Sequence, residues 1–198
     1  HGPLAGVSDH HGRAESKKQI SRKRKEIAMR TMTKIAIINL KGGVGKSNIA
    51  VNLAVQFQRM GLKTIIFDAD IGLANVEVMF GTIPQYSLND LIYHDKEIED
   101  IITDGPEGVG FISGGSGIMG LSNLTLDQIS YLVKSVEKLS VIADIVIVDT
   151  GAGISDSVME FVASSPEILL VTTPEPSSLT DAYSLLKMLY RNPKYDKN

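Results

Sequence analysis

Hydrophobic positions in this chain form short unbroken runs separated by amphipathic stretches, beginning at Lys34. Ile35-Ala36-Ile37-Ile38 is a continuous apolar run of the kind expected for a strand buried on both faces. Ile49, Leu53, Phe57 and Met60 then recur at helical spacing, and Gly61 stands where a helix stops. Thr64-Ile65-Ile66-Phe67 predicts a second buried strand, and Val109 to Ile112 a shorter third. Leu126, Ile129, Leu132, Val133 and Val136 line one face of a helix, with Thr125 as its cap. Ile145 to Val148 and Ile168 to Val171 predict two more buried strands. The segment between them and the segment Leu179–Tyr190 predict helices. No internal repeat interrupts the alternation. The fold class is therefore α/β: a doubly wound, mostly parallel sheet with helices on both faces.

The chain has 198 residues, 43% hydrophobic and 22% charged, which fits one globular domain. No apolar run approaches the ~18 residues of a membrane-spanning helix. Cysteine is absent, which excludes disulfides, thiol catalysis and thiolate-held metal clusters within this chain and fits a reducing compartment. The net charge of −3 conceals an asymmetry: residues 1–34 hold nine Lys/Arg against three Asp/Glu, and the rest eleven against twenty. Residues 1–33 read as a disordered basic leader, part of it an added expression segment, followed by a folded domain over 34–198. The run KKQISRKRK (17–25) reads either as a solvated linker or as an electrostatic contact with an anionic partner. His1, His10 and His11 lie in a Gly-rich stretch without the framework of a metal site. The acidic body argues against a general nucleic-acid partner.

Chemistry enters after the first strand. Lys41-Gly42-Gly43-Val44-Gly45-Lys46-Ser47-Asn48 lies between that strand and the first helix, the context a phosphate-binding loop requires. Its glycines let backbone N–H groups curl around phosphate oxygens at a helix N-terminus. Lys46 would neutralise the outer phosphates of ATP or ADP, and the Ser47 hydroxyl would bind Mg²⁺. The common form of the motif begins with Gly, where this chain has Leu40. Asp68 and Asp70 follow the second strand at i and i+2, on the rim where ligands of doubly wound sheets lie. Asp149, ending a four-residue apolar run, occupies the position of a Mg²⁺–water ligand. Gly151 and Gly153 permit a rearranging loop. The stretch Thr172–Asp181 follows the last strand and reads also as a Pro/Ser turn that starts a helix.

The complete run 41–47 resembles the deviant phosphate loop of the MinD/ParA family of ATPases, Lys-Gly-Gly-x-Gly-Lys-Ser/Thr. The resemblance extends over about Lys34 to Arg191. DADIGLANVEVMFG (68–81), DTGAGISDS (149–157), SLTDAYSLLKML (178–189) and FISGGSGIMGL (111–121) look most like its FlhG branch, also called FleN or YlxH, whose members regulate flagellum number and placement. The resemblance implies a P-loop NTPase fold of the SIMIBI kind and an ATP-dependent homodimer with slow, Mg²⁺-dependent hydrolysis. It implies that Asp70 orients the attacking water, that Asp68 lies near the hydrated Mg²⁺, and that Lys41 reaches the partner's phosphates. Pro174 and Glu175 would lie near the nucleoside, and Glu175, Ser177 and Asp181 would meet the opposite subunit.

The same resemblance implies a signal-recognition-type flagellar GTPase, flagellar switch components and, in some members, a transcription activator as partners. It implies a cytoplasmic protein that associates reversibly with the inner face of the membrane. Family members continue into a further strand, an adenine-reading Asn and a membrane-touching amphipathic helix, so the domain is expected to be incomplete at its C-terminal end. The Asp-Gln-Ala motif of flagellar members is not found in residues 1–33. The competing readings are a division-site regulator of MinD type, a DNA-partition ATPase of ParA type, and a scaffold that binds nucleotide without turnover.

Overall fold

The structure, a computed structural model, describes residues 32–70, 73, 75–115, 124–153 and 155–192, without the side chains of Asp156 and Ser157. The basic run 17–25, the three leader histidines, and residues 71, 72, 74, 116–121 and 154 of the family-like motifs lie outside the described residues.

Six strands form one sheet in the order β3-β4-β2-β5-β1-β6. They are β1 (Thr33–Ile38), β2 (Thr64–Asp68), β3 (Thr103–Asp104), β4 (Gly110–Ile112), β5 (Ile145–Asp149) and β6 (Glu167–Leu170). All neighbouring pairs are parallel except β3 with β4, where the two-residue β3 runs antiparallel. The longer helices are α1 (Lys46–Arg59), α4 (Leu126–Lys138), α5 (Asp156–Ala163) and α6 (Pro176–Arg191). Two single-turn helices, α2 (Asn75–Phe80) and α3 (Leu88–Tyr93), lie between β2 and β3.

The two-residue period of the central strands explains why their runs are apolar throughout. Ile37, Ile66, Phe111 and Ile147 pack with Ala50, Ala54 and Val76 in one cluster. Phe67, Val146 and Val148, from alternate positions, pack with Leu132, Leu139 and Phe161 in another. Ala36 and Ile38 meet Val158, Val162, Leu185 and Leu189. Helices thus cover both faces, as the alternation of elements requires.

Three expectations change. The buried face of α1 is Ala50 and Ala54, while Met60 is 73% exposed and Ile49 borders on exposed. The two alanines let the helix lie close on the sheet, leaving Leu53 and Phe57 to pack at its rim. Leu126, expected on the apolar face of α4, sits in its first turn and is 70% exposed. The last strand is not buried on both sides: Glu167 and Leu169 are exposed because β6 stands at the sheet edge, paired only with β1 among the described residues. The caps hold. Thr125 accepts from the Gln128 amide. Gly61, at φ 84°, ends α1 with amide bonds from Gly61 to Gln58 and from Leu62 to Phe57, the pattern of a glycine-closed helix end.

Candidate functional site

The loop from Asn39 to Gly45 leaves the C-terminal end of β1 and turns into α1. Gly45, at φ 96°, is the residue before the helix, a backbone region that an L side chain rarely adopts. No side chain caps α1 and no acidic residue occupies its first turn, whereas α3 and α4 carry complete capping boxes. The first amides of α1 are therefore left for a ligand, with the positive end of the helix dipole behind them. A Cβ built at Gly43 or Gly45 would meet nothing within 4 Å, so open space faces the loop.

Around that space lies a cavity of about 640 Å³. Gly42, Gly43, Gly45, Lys46, Ser47 and Asn48 line one side, and Asp70, Asn75 and Ala152 the other. Leu73, Val78 and Met79 complete the wall. Lys46 is 7% exposed, and its Nζ reaches the Lys41 carbonyl at 3.5 Å. Burial lowers its pKa, opposed by the attraction of Asp149 and Asp70.

The three carboxylates divide by environment. Asp68 is fully buried, and each oxygen already accepts a backbone N–H, from Asp70 at 3.1 Å and from Val76 at 3.2 Å. It braces the loop and the start of α2. Asp149, its register partner across β2 and β5, is equally buried, yet neither oxygen meets hydrogen-bond geometry with any described residue. Burial pushes Asp68 up to about 7 and Asp149 up to about 6; Ser47 and Lys46 counter part of the rise at Asp149. The Ser47 hydroxyl is thus near enough to act on Asp149 without closing a regular hydrogen bond. Asp70 accepts from the Asn75 amide at 3.1 Å, and burial raises its pKa against the pull of Lys46 and Asn75. A Cβ at Gly151 would lie 2.7 Å from Asp70 Oδ1, so only glycine there leaves room for this carboxylate.

These residues fit a hydrated Mg²⁺. Two orphaned buried carboxylate oxygens beside a hydroxyl are suitable hard donors, and Mg²⁺ keeps waters and phosphate oxygens in its remaining positions. No cluster of three or more acidic or histidine side chains that could hold a metal ion by itself occurs among the described residues.

The raised carboxyl pKa values carry a stability signature. Asp68 and Asp149, the two raised furthest, keep their protons in the folded chain to higher pH than in the unfolded chain, which releases them near pH 4. The folded state then binds more protons, so stability falls as pH rises from about 4 to about 7. Asp149→Asn loses no hydrogen bond at the orphaned oxygens and removes its share of that fall. Urea unfolding without Mg²⁺ at about pH 5 and about pH 8 should show a smaller drop for the variant. An unchanged drop would exclude Asp149 from the effect.

The other expected residues separate. Val44 packs against the core beneath the loop. Pro174, Ser177 and Asp181 do not line the cavity; Ser177 is exposed and Asp181 half-buried. Glu175 precedes α6 and meets Lys41 in the same chain, Oε2 to Nζ 3.2 Å, with both side chains about half exposed. The buried polar residue here is Ser178 in the first turn of α6, whose Oγ accepts from the Thr173 N–H of the preceding loop at 3.0 Å.

Sequence reasoning passed over Asn39. It is fully buried, its amide donates to the Val171 carbonyl, and its Oδ1 accepts from the Lys41 N–H at 2.6 Å. Its carbonyl accepts from Gly153 N at 3.3 Å. The side chain thus joins the loops after β1 and β6, and the backbone carbonyl of the same residue adds the loop after β5. The available signal was a polar residue directly following a fully apolar strand.

A glycine loop between a central parallel strand and an uncapped helix, with a buried lysine and strand-end carboxylates, defines a P-loop NTPase of doubly wound α/β form. The chain belongs to the ParA/MinD family of these proteins: the family model described as "ParA: NUBPL iron-transfer P-loop NTPase" matches residues 30–193. The iron transfer in that description has no thiolate counterpart in this cysteine-free chain. The chain is 41% identical over 165 residues to the antiactivator FleN of Pseudomonas aeruginosa, covering 83% of this chain and 59% of that protein. It is 39% identical over 159 residues to the flagellum site-determining protein YlxH of Helicobacter pylori, covering 80% and 54%. The septum site-determining protein MinD of Pyrococcus horikoshii OT3, complexed with Mg-ADP, superposes with a TM-score of 0.68 at 27% identity, covering 81% of this chain and 66% of that one. The chain thus spans somewhat more than half the length of the curated relatives it matches.

Proposed function

We propose that this protein is an ATP-dependent molecular switch that dimerises on ATP, hydrolyses it slowly and regulates flagellum number and placement. One observation carries the reading: the uncapped start of α1, Lys46 and Asp70 line one cavity, and the buried, orphaned Asp149 acts electrostatically on the same Lys46. The α1 amides and Lys46 hold the phosphate chain, and Ser47 and Asp149 hold Mg²⁺. When bound, Mg²⁺ neutralises charge on the outer phosphates. Asp70 accepts a hydrogen bond from the attacking water and aims its oxygen at the γ-phosphorus; that P–O bond forms as the bond from the γ-phosphorus to the bridging oxygen breaks, and the water's proton leaves on the phosphate, giving ADP and inorganic phosphate.

The flagellar assignment is supported by the higher identity to FleN and YlxH than to the MinD structure. A division-site role of MinD type would use the same switch and differ in its partner. A pull-down with a signal-recognition-type flagellar GTPase, with and without ATP, separates the two. The reading places the protein in the cytoplasm with reversible membrane contact; no described helix is long and apolar enough to cross a membrane.

Asp70→Ala tests the chemistry. The carboxylate acts on water and not on the phosphates, so ATP affinity should stay within about twofold while turnover falls about 10²-fold. The variant should accumulate as an ATP-bound dimer on size exclusion. Parental turnover would remove Asp70 from the mechanism.

A further inference from the structure

The first turn of α2 donates hydrogen bonds to two of the site's three carboxylates. Asn75 donates to Asp70, and the Val76 N–H donates to Asp68. Yet α2 is only six residues long, and Val76 is its one fully buried side chain. Val78 is 75% exposed. Phe80 adds an edge contact to Phe111 at the far end of the helix, 5.5 Å between ring centroids. So small an apolar anchor leaves the orientation of the first turn to its polar contacts.

Glu77 supplies one. Its Oε2 accepts from Ser113 Oγ at 2.7 Å, across 36 residues of sequence. Ser113 is fully buried just beyond the end of β4. Its hydroxyl oxygen also accepts from the Gly115 N–H at 3.0 Å, and its carbonyl accepts the Leu88 N–H that begins α3. Ser113 is therefore fixed to the sheet and to α3, and a bond to an ionised acceptor is among the stronger polar contacts available. Neither residue lines the cavity.

We propose that Glu77 is a positioning residue: its bond from Ser113 locks the first turn of α2 to the sheet and so holds Asp70 and Asp68 in place at the phosphate cavity. The role rests on the hydrolysis reading above. It predicts that loss of the bond slows the chemical step with little effect on nucleotide affinity, since the groups assigned to the phosphates lie on the β1 loop and α1. A misplacement of about 1 Å at a reacting centre can cost about 10²-fold in rate.

The test compares Glu77→Ala, Glu77→Gln, Ser113→Ala and the Ala/Ala double variant in the intact chain, with Asp70→Ala as reference. ATP affinity, single-turnover rate and melting temperature are measured for each. Glu77→Ala should lose about 10-fold in rate with affinity within about twofold. Glu77→Gln should recover most of the rate, because its side-chain carbonyl still accepts from Ser113 Oγ. The double variant should be no slower than the slower single one, as two ends of one contact are not additive. A Glu77→Ala variant at the parental rate, or a Glu77→Gln variant as slow as Glu77→Ala, overturns the role. Parallel loss of affinity, rate and melting temperature in Glu77→Ala also overturns it, in favour of general structural support. A parent that binds no ATP, or whose rate ignores Asp70→Ala, fails the hydrolysis reading itself and is thereby distinguished.

Discussion

Lys46→Ala is expected to lower ATP affinity by about 10²-fold or more, the largest single binding loss in the molecule. Two effects add. The variant loses the cation that would contact the β- and γ-phosphates through charge-assisted hydrogen bonds. It also leaves Asp149 and Asp70 without the cation that now attracts both of them, so carboxylates and phosphates repel each other in a partly desolvated crevice. The fold should survive, because Lys46 touches the Lys41 carbonyl at only 3.5 Å and lies outside the hydrophobic clusters. Titration with Mg-ATP by calorimetry, beside a thermal melt, checks both halves. Parental affinity in a folded variant would refute the phosphate site.

The second large effect is expected at Lys41, and on dimerisation and turnover instead of binding. Within one chain Lys41 does not face the phosphate loop's interior; its Nζ pairs with Glu175 beside α6. This exposed pair is worth little in stability, so a partner's phosphates can draw the lysine away at small cost. A cation supplied across a dimer to a phosphoryl-transfer site is worth ~10³-fold or more in rate. Lys41→Ala should then bind ATP nearly normally as a monomer but fail to dimerise on ATP or to hydrolyse it. Mixing Lys41→Ala with Asp70→Ala separates trans from cis. In a mixed dimer one site has its own Asp70 and receives Lys41 from the other chain. An equimolar mixture should therefore recover turnover, up to about half the parental value, because each mixed dimer has one competent site of two. If the lysine acts in cis, neither site is complete and mixing restores nothing.

The fold was legible where burial is two-sided. The runs 35–38 in β1, 65–67 in β2 and 145–148 in β5 are unbroken apolar stretches because helices cover both faces, and that continuity marks them without knowledge of their neighbours. The phosphate loop was equally legible, since glycines, Lys46 and Ser47 are needed at fixed spacing whatever surrounds them. Helix faces were less so. Apolar size suggested Ile49 and Met60 as the buried side of α1, but close approach to a sheet selects small residues, and Ala50 and Ala54 occupy that side. The short elements α2, α3 and β3 carry too few residues to show a period.

The sequence alone therefore determined the class of fold, the nucleotide loop and the identity of the strand-end carboxylates, because each depends on local pattern or on residue types at fixed intervals. Only the tertiary structure decided how those carboxylates differ. Asp68 and Asp149 look alike in the chain, each ending an apolar strand, yet one has both oxygens bonded to amides and the other has neither bonded. The tertiary structure likewise showed that Asn39 joins three loops and that Glu77 reaches Ser113. Hydrogen bonds between residues distant in sequence leave no periodicity to read; they exist only once the sheet has brought its strand ends together.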